Sequence, residues 1–538
     1  MRARLLAALL VLAAAGPGAA RAASTPTDPN ALRSPNSEVT VPAGHRLSAR
    51  RVIAVADGVP SVRDARRAHP GLTSSAFLKG TTRWQVSYYG KKGKEIAQVT
   101  INDATGTVQE AWTGFQVAWT MARGYPGAFG RKASALYLWI PLCLLFVIPF
   151  VDRRRWRRWL HLDLLVLVSL SISLAFFSHG KIGLSVPLAY PVLLYLLVRM
   201  LVLARGRNRR SGPLRLSVPV SWMAIALVFL VGFRIGLNVT DSNVIDVGYA
   251  GVIGAHKIAG GDRLYGAFPR DNAHGDTYGP ASYEAYVPFE RTFGWSGRWD
   301  DLPAAHAASV FFDLLTMLGL WLLGRRVRGP TLGIALAYAW AAFPFTLFTL
   351  DSNTNDSLVA LLIVFALLAA THPARRGALA ALAGFTKFAP LALAPLLARS
   401  TGEVRVRPLA LFAAAFAATT VLVGLPVLTG ASASTIYHST IGYQSSRGSP
   451  FSVWGLWGLP HAAQLGVQLA GAALAVVVAF VPRCRDIFQV AALGAVVLIA
   501  LQLGISHWFY LYVVWFFPLV MLALLGRYPE GEESPSVL

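Results

Sequence analysis

Long runs of apolar residues alternate with short basic loops over most of the 538-residue chain, beginning near residue 135. An apolar run of about 20 residues is long enough to cross a bilayer as a helix. The pattern predicts about 11 spans, near 135–151, 160–178, 186–204, 217–237, 305–324, 331–350, 356–371, 408–428, 462–482, 487–505 and 508–526. The predicted fold class is therefore a polytopic α-helical membrane protein.

The apolar segment at 378–398 admits two interpretations. Arginines flank it on both sides, Arg375 and Arg376 before it and Arg399, Arg405 and Arg407 after it. A full span here would move every later basic loop to the outside, against the tendency of Lys and Arg to stay on the cytoplasmic side. Pro390 and Pro395 favour a broken, re-entrant hairpin, which is tolerated where protein covers the backbone. We therefore predict the hairpin in addition to the 11 spans.

The N-terminal residues have the pattern of a targeting segment. Arg2 and Arg4 precede an apolar stretch at 5–15, and a small-x-small pattern follows at 20–22. This order predicts a signal peptide at 1–23, with an uncleaved membrane anchor as the alternative. Residues 24–45 are rich in Pro, Ser, Thr and Asn and are predicted to be a linker.

Residues 46–125 predict a small α+β domain. A helix is expected at 47–55, strands at 84–89 and 96–101, a turn at 102–106 and another strand from 108. With W-x-V-x-Y at 84–88, this order resembles the PepSY family, whose extracytoplasmic modules are linked to inhibition or regulation. The resemblance implies a regulatory module; a packing or partner-binding module is the alternative.

Composition and charge placement restrict the class of protein. Only 14% of residues are charged, against about 25% in soluble proteins, which excludes a soluble enzyme. Lys and Arg exceed Asp and Glu by 49 to 26, but the basic residues cluster in short loops such as 152–159 and 205–216. That placement indicates cytoplasmic loops near anionic lipids rather than nucleic-acid binding. The two cysteines, Cys143 and Cys484, cannot form a disulfide framework or a Cys-based metal site.

The resulting topology is that of a plasma (inner) membrane protein whose functional site is predicted on the outer side of the membrane. Three additional spans at 135–216 precede the main membrane domain at 217–527, and a short tail at 528–538 lies inside. The longest loop of the membrane region, 238–304, lies outside and carries several carboxylates and tyrosines. Long loops of this kind are often functional. The aromatic residues at 278–293 also suit a short helix with anchors in the membrane interface.

Five short motifs follow one another from this loop onward. They are D-x-x-Y at 246–249, G-x-x-L-Y at 261–265, Y-G-P at 278–280, N-D at 355–356 and K-F-x-P at 387–390. Their order resembles the family 87 glycosyltransferases, GT-C enzymes that include polyprenyl-phosphate-mannose-dependent mannosyltransferases. The resemblance covers about 230–530. It departs from the family in one respect, because the family's aspartate loop normally follows the first span.

The resemblance implies transfer of mannose or another hexose or pentose from a polyprenyl-phosphate donor to a lipid or glycan acceptor. The lipid phosphate leaves as a stable anion, so no general acid is required. A carboxylate that accepts the proton of the acceptor hydroxyl typically contributes ~10²–10⁴-fold in rate, and fixed cations can stabilise the phosphate. The implied reaction is a single, inverting displacement. No cofactor is required and no metal-ligand set is identified, although a divalent cation remains an option.

The candidate residues follow from this chemistry. Asp246 is the predicted catalytic base, and Asp241 is the alternative. The donor phosphate is assigned to Lys387, Arg447, His507 and Arg234, although Arg234 near the end of its span can also snorkel to headgroups. Sugar or acceptor contacts are assigned to Asn355, Asp356, Asp276, Tyr278 and Tyr249. The polar cluster at 351–356 can equally be a turn with a helix cap, and the rings at 508–512 an aromatic belt.

Two other functions are compatible with part of the pattern. A transporter or flippase for a lipid-linked glycan predicts ionisable residues near the midplane of several spans, whereas the acids of this chain are predicted at one surface. A PepSY-type regulatory membrane protein does not explain the order of the five motifs.

Overall fold

The computed structural model describes residues 32–124, 129–152, 154–155, 157–205, 216–300, 302–400, 405–428, 430–482 and 485–528. The predicted signal peptide at 1–23, most of the loop at 205–216 and nearly all of the tail lie outside these residues. The chain divides into two compact units, Met1–Arg123 and Gly124–Leu538.

The described part of the first unit is an antiparallel sheet with helices. Its strands pair in the order β1 to β5: Leu32–Arg33, Thr73–Lys79, Arg83–Tyr89, Glu95–Asn102 and Val108–Thr113. Its helices are α1 (Ala49–Asp57), α2 (Pro60–Ala68) and the short α3 (Phe115–Ala118). Alternate residues of β3, namely Trp84, Val86 and Tyr88, are fully buried in the core, as the period of two in a strand requires.

The W-x-V-x-Y residues of this unit have structural partners. The Trp84 Nε1 donates to Asp103 Oδ1 at 2.8 Å, and the Asp103 carboxylate also accepts the backbone N–H groups of Arg46 and Leu47. The Tyr88 hydroxyl donates to Asp57 Oδ1 at 2.8 Å. The carboxylate after β4 therefore fixes the segment before α1. The PepSY resemblance itself stays a prediction.

The second unit is helical. Its helices are α4 (Leu136–Val147), α5 (Trp159–Ser178), α6 (Ile182–Arg205), α7 (Val220–Thr240), α8 (Asp246–Gly260), α9 (Pro280–Glu284), α10 (Val287–Phe293), α11 (Pro303–Arg328), α12 (Pro330–Ala342), α13 (Pro344–Asp351), α14 (Asp356–Leu368), α15 (Pro373–Thr386), α16 (Ala394–Arg399), α17 (Val406–Leu428), α18 (Ala433–Tyr437), α19 (Tyr443–Ser446), α20 (Val453–Leu456), α21 (His461–Phe480), α22 (Ile487–Gly504) and α23 (Val513–Leu525).

Many of these helices are long and apolar enough to cross a membrane. Within the described ranges there are seven: α5, α6, α7, α11, α17, α21 and α22. An eighth results if α12 and α13, which are bent by 58° at Phe343, form one span. The protein is thus a multi-pass membrane protein. The figure of 11 spans stays a prediction, because α4, α14 and α23 have only 12, 13 and 13 residues.

The segment at 378–398 is broken in the middle. Helix α15 ends at Thr386, a 3₁₀ turn follows at Ala389–Leu393, and α16 ends at Arg399. The buried Arg376 guanidinium, near the start of α15, donates to the carbonyl oxygens of Leu397 and Ala398 at the end of α16. The two ends of the segment therefore lie side by side, which is the geometry of a hairpin with Lys387 at its turn.

The loop between α7 and α11 folds into α8, α9 and α10. The structure differs here from the predicted row of interfacial aromatic anchors, because Tyr283 and Tyr286 are fully buried. They pack on a glycine face of α8: a Cβ at Gly254 would lie 2.1 Å from Tyr283 Cδ1, and one at Gly251 would lie 2.8 Å from the Tyr286 ring. The glycines let the rings fill the space beneath α8.

Candidate active site

The start of α8 is held in place by the polar segment at 351–356. Asn353 adopts a left-handed backbone conformation with φ of 50°, which asparagine tolerates better than most residues. Its side-chain amide donates to Ser242 Oγ at 3.0 Å and to the Asn243 carbonyl oxygen at 3.1 Å. A Cβ added to Gly248 would lie only 2.0 Å from the Asn353 carbonyl oxygen. Asn353 therefore positions the first turn of α8, which begins with Asp246.

Asp246 lies in a recess. Its side chain reaches solvent although protein atoms surround it on most sides. This burial raises the pKa of the Asp246 carboxyl above its ordinary value, because the charged form loses hydration. The positive charges of Arg447 and Lys387 act in the opposite direction. Asp246 thus shares one electrostatic environment with residues more than 100 positions away in sequence.

Lys387 and Asp356 form a buried ion pair in this environment. The Lys387 Nζ lies 2.6 Å from Asp356 Oδ1, and the same oxygen accepts the Trp515 indole N–H at 2.8 Å. The ammonium group also faces the rings of Tyr278, Tyr512 and Trp515, whose centroids are 5.4, 5.5 and 5.3 Å away. Aromatic faces attract cations at this range. The pair and the rings together hold the Lys387 charge at the hairpin turn.

The Y-G-P motif brings Tyr278 to this cation. A Cβ on Gly279 would lie 2.1 Å from the Phe385 carbonyl oxygen, so only glycine permits the close approach of this loop to the end of α15. Lys387 follows Phe385 by two residues and lies in the turn after α15. A side-chain bond from Asn355 Nδ2 to Ser282 Oγ joins α9 to the start of α14. The Y-G-P motif therefore packs against the end of α15 and holds Tyr278 at the site.

Arg447 and His507 complete the cluster from two further segments. The Gln444 amide donates to Thr277 Oγ1 at 2.8 Å, which docks α19 and the following Arg447 beside the Y-G-P loop. The His507 Nδ1 lies 2.9 Å from Ser449 Oγ. Burial lowers the pKa of His507 well below its ordinary value, and Arg447 and Lys387 lower it further. His507 is therefore neutral near pH 7 and acts as a hydrogen-bonding group rather than a cation.

The structure brings together seven of the residues predicted from sequence. They are Asp246, Tyr278, Asn355, Asp356, Lys387, Arg447 and His507, which come from six segments between 246 and 507. Among these groups, the solvent-accessible acid Asp246 lies within electrostatic range of two cations, Arg447 and Lys387. Such an arrangement can bind an anion and accept a proton beside it.

Two of the predicted residues are held by other partners. Asp241 ends α7 and lies 3.2 Å from Lys132 Nζ and 3.9 Å from Arg131 Nη1. Arg234 is only 1% exposed and forms a two-pronged ion pair with Asp313, at 2.6 and 3.1 Å. Its remaining Nη1 donates to the Ala341 carbonyl oxygen and to a threonine hydroxyl. These contacts account for both residues structurally.

Asp276 and Tyr249 also have structural contacts. Asp276 Oδ2 accepts the backbone N–H of Gly266 at 2.6 Å, as expected of a carboxylate that shapes a loop. The Tyr249 hydroxyl donates to Asp271 Oδ2 at 3.0 Å, and its ring stacks on Trp299 with centroids 5.0 Å apart. Tyr249 follows Asp246 by one helical turn, so the D-x-x-Y motif places both on one face of α8.

Sequence reasoning assigned no site role to Tyr512 or Trp515. The aromatic residues around 508–512 were interpreted as a membrane belt, which is their commonest role. In the structure Tyr512 and Trp515 stack on each other at 4.4 Å and enclose Lys387. Their i,i+3 spacing at the start of α23 was the available signal, since it places both rings on one face.

Residues 277–506 match Glycosyltransferase family 87. The matched stretch contains Tyr278, Asn355, Asp356, Lys387 and Arg447, and it begins after both candidate base residues, Asp241 and Asp246. No match to a curated protein was found. The family match shows that the chain is a glycosyltransferase, with a sugar donor and an acceptor as its substrates.

Proposed function

We propose that the protein moves a sugar from a polyprenyl-phosphate donor to an acceptor hydroxyl at the outer face of the plasma membrane, with inversion of the anomeric carbon. The acceptor oxygen attacks the anomeric carbon from the side opposite the phosphate. The bond between that carbon and the phosphate oxygen breaks, the lipid phosphate leaves as an anion, and the acceptor proton passes to Asp246. Every atom of the step is supplied by the two substrates and one carboxylate.

The observation that carries this proposal is the grouping of Asp246 with Arg447 and Lys387 around one recess. Two fixed cations provide the charge that a departing phosphate requires, and they do so without reorganisation during the reaction. Lys387 stands at the turn of a hairpin between apolar helices, where a charged group usually has a functional role. The neutral His507 provides a hydrogen bond at the same recess.

Asp246 is favoured over Asp241 as the base for an electrostatic reason. Its raised pKa makes its carboxylate a better proton acceptor than an ordinary aspartate. Asp241 is instead engaged with Lys132 and Arg131. Because these cations already occupy its carboxylate, Asp241 is the weaker candidate.

The direct test is transfer by the purified protein from a panel of radiolabelled polyprenyl-phosphate sugars to extracted lipids and glycans. Asp246→Asn is expected to lower transfer by about 10²–10⁴-fold while the protein folds normally. Asp241→Asn is the matched control and is expected to retain transfer. Wild-type turnover in Asp246→Asn together with loss in Asp241→Asn would move the base to Asp241. Label transfer from none of the donors would refute the polyprenyl-phosphate assignment.

The outer location is tested by cysteine labelling in intact cells, in a background with Cys143 and Cys484 replaced by serine. Thr292 on α10 and Thr371 before α15 are both exposed and are predicted on opposite sides of the membrane. Thr292→Cys is expected to react with an impermeant reagent before lysis and Thr371→Cys only after it. The reverse pattern would place the site in the cytoplasm and exclude the proposed sidedness.

A further inference from the structure

Three aromatic rings form a cluster next to Asp246, in which Tyr249 is fully buried while Trp295 and Trp299 reach solvent. Tyr249 stacks on Trp299 with an interplanar angle of 29°, and the Trp295 ring meets Tyr249 edge-on at 6.1 Å. Trp299 remains 44% exposed although one face is covered. We call Tyr249, Trp295 and Trp299 the aromatic platform. None of these rings contributes to the Lys387 cage or to the cluster around the recess.

A cavity of about 420 Å³ opens beside the platform. Trp295, Phe293 and Leu302 form its apolar walls, and Ser296 and Asp300 supply polar groups. Its volume falls within the ~300–1,000 Å³ that is usual for small-ligand sites. Apolar walls with few polar groups are also typical of such sites. A second carboxylate, Asp271, accepts a hydrogen bond from the Tyr249 hydroxyl.

The platform and the neighbouring Asn272 are hydrogen-bonded to the backbone at the candidate base. The Trp299 Nε1 donates to the Val244 carbonyl oxygen at 2.9 Å, two residues before Asp246. The Asn272 amide, next to Asp271, donates to the Asp246 carbonyl oxygen at 3.0 Å. Tyr249 lies one turn further along α8. A ligand on the platform therefore lies next to the Asp246 recess.

We propose that this platform is a subsite for a glycan acceptor. Pyranose and furanose rings present a C–H face that packs on an aromatic ring, while their hydroxyl groups require carboxylates and hydroxyls at the edge. The platform with Asp300, Ser296 and Asp271 offers both. It deepens the proposed function, on which it rests for the reaction itself, by selecting a glycan rather than a simple lipid as the acceptor.

The indole N–H groups argue against a membrane anchor. An interfacial tryptophan directs its N–H toward headgroups and water. Here Trp299 donates to the Val244 carbonyl oxygen, and Trp295 donates to the Arg298 carbonyl oxygen at 3.3 Å. Both rings are thereby oriented by the protein, which leaves the uncovered face of Trp299 and the exposed part of Trp295 to meet a ligand.

The experiment measures binding of fluorophore-labelled short oligosaccharides, α- and β-linked and of hexose or pentose units, to the full-length protein in detergent. The wild type is expected to bind at least one of them. Trp299→Ala and Trp295→Ala are expected to weaken that binding by about tenfold, which corresponds to ~1.4 kcal/mol. Trp299→Phe retains a ring and is expected to restore part of it. Trp457→Ala, which removes a tryptophan 58% exposed outside the platform, is the matched control and is expected to bind normally.

The outcomes separate the subsite from the reaction. Absence of binding to every oligosaccharide at millimolar concentration, or equal binding by the wild type and both alanine variants, would overturn the subsite. If the protein transferred label to lipids but bound no oligosaccharide, the subsite would be overturned and the transfer proposal would stand. Tryptophan-dependent binding without transfer from any polyprenyl-phosphate donor would retain the platform and remove the proposed reaction. Thermal melting of each variant identifies any that fails to fold.

Discussion

Asp356 at the start of α14 and Lys387 at the turn after α15 meet through a 2.6 Å contact between Oδ1 and Nζ. Both side chains are buried, with 0% and 8% exposure. A buried ion pair is costly to desolvate and is stable only with good geometry and additional partners. Trp515 supplies a hydrogen bond to the carboxylate, and three rings surround the ammonium. The pair therefore keeps a cation ready in an apolar part of the protein.

The first prediction separates the structural role of this pair from its role in transfer. Lys387→Met leaves the Asp356 carboxylate buried without a counter-charge and is expected to lower the free energy of unfolding by about 3–5 kcal/mol. The double variant Lys387→Met with Asp356→Asn removes both charges and is expected to regain most of that stability. It is not expected to regain transfer, because the phosphate has lost its cation. Melting in detergent and the radiolabel assay measure the two properties.

The control for this experiment is Lys387→Arg, which retains the charge within the aromatic cage. It is expected to keep part of the transfer activity, although the larger guanidinium group fits the cage less well. If the double variant transferred sugar at the wild-type rate, Lys387 would have a structural role only. Arg447 would then be the remaining candidate for the phosphate.

The second prediction concerns the dependence of transfer on pH. A general base acts when ionised, so transfer is present above the pKa of Asp246 and lost as the pH falls through it. Burial raises that pKa above its ordinary value, and Arg447 is the strongest of the nearby charges that lower it. Arg447→Gln is therefore expected to move the acid limb of kcat/KM toward higher pH. The pH midpoint of the acid limb is compared separately from the maximum value of kcat/KM, because that maximum also falls if Arg447 binds phosphate.

Arg447→Lys is the matched variant, because it keeps a positive charge near Asp246. Its acid limb is expected to stay close to that of the wild type, while the loss of the planar guanidinium lowers the height. An acid limb in Arg447→Gln that stays in place or moves to lower pH would show that Asp246 is not the group that titrates.

The sequence selected several residues that the structure places in one group, but it did not predict the contacts between them. Residue chemistry and motif order selected Asp246, Lys387 and Arg447, because charged groups near apolar segments are rarely without function. The pairing of Lys387 with Asp356 was not predicted, since it depends on a contact between residues 31 positions apart, one at the start of α14 and one after the end of α15. Sequence spacing describes one helix face at a time and says nothing about which faces meet.

Apolar periodicity had a similar limit for the fold. It located the helices but does not determine where a helix bends or ends, as the 58° bend between α12 and α13 shows. The tyrosines of α9 and the segment after it were interpreted as interfacial anchors from their composition. Tyr283 and Tyr286 are buried instead, because glycines on the facing side of α8 create the space for their rings. Such complementarity involves two segments and cannot be read from either alone.

The third prediction concerns the glycine of the Y-G-P motif. Gly279→Ala places a Cβ 2.1 Å from the Phe385 carbonyl oxygen, a distance that requires the loop or the end of α15 to move. That movement separates Tyr278 from Lys387 and is expected to lower transfer by at least tenfold. Gly236→Ala on α7, where no atom lies within 4 Å of the new Cβ, is the matched control and is expected to be neutral. Normal transfer by Gly279→Ala would show that the cage tolerates displacement of Tyr278.

The fourth prediction distinguishes Arg234 from the phosphate-binding cations. Its guanidinium is buried against Asp313, which also accepts the Trp340 indole N–H at 2.7 Å. Arg234→Met leaves the Asp313 carboxylate unpaired and is expected to lower the free energy of unfolding by about 3–5 kcal/mol. Because the pair lies apart from the recess, the folded fraction is expected to keep the wild-type KM for the donor, and adding Asp313→Asn is expected to recover stability. A stable Arg234→Met protein with a greatly raised donor KM would instead place Arg234 at the phosphate, as its sequence position first indicated.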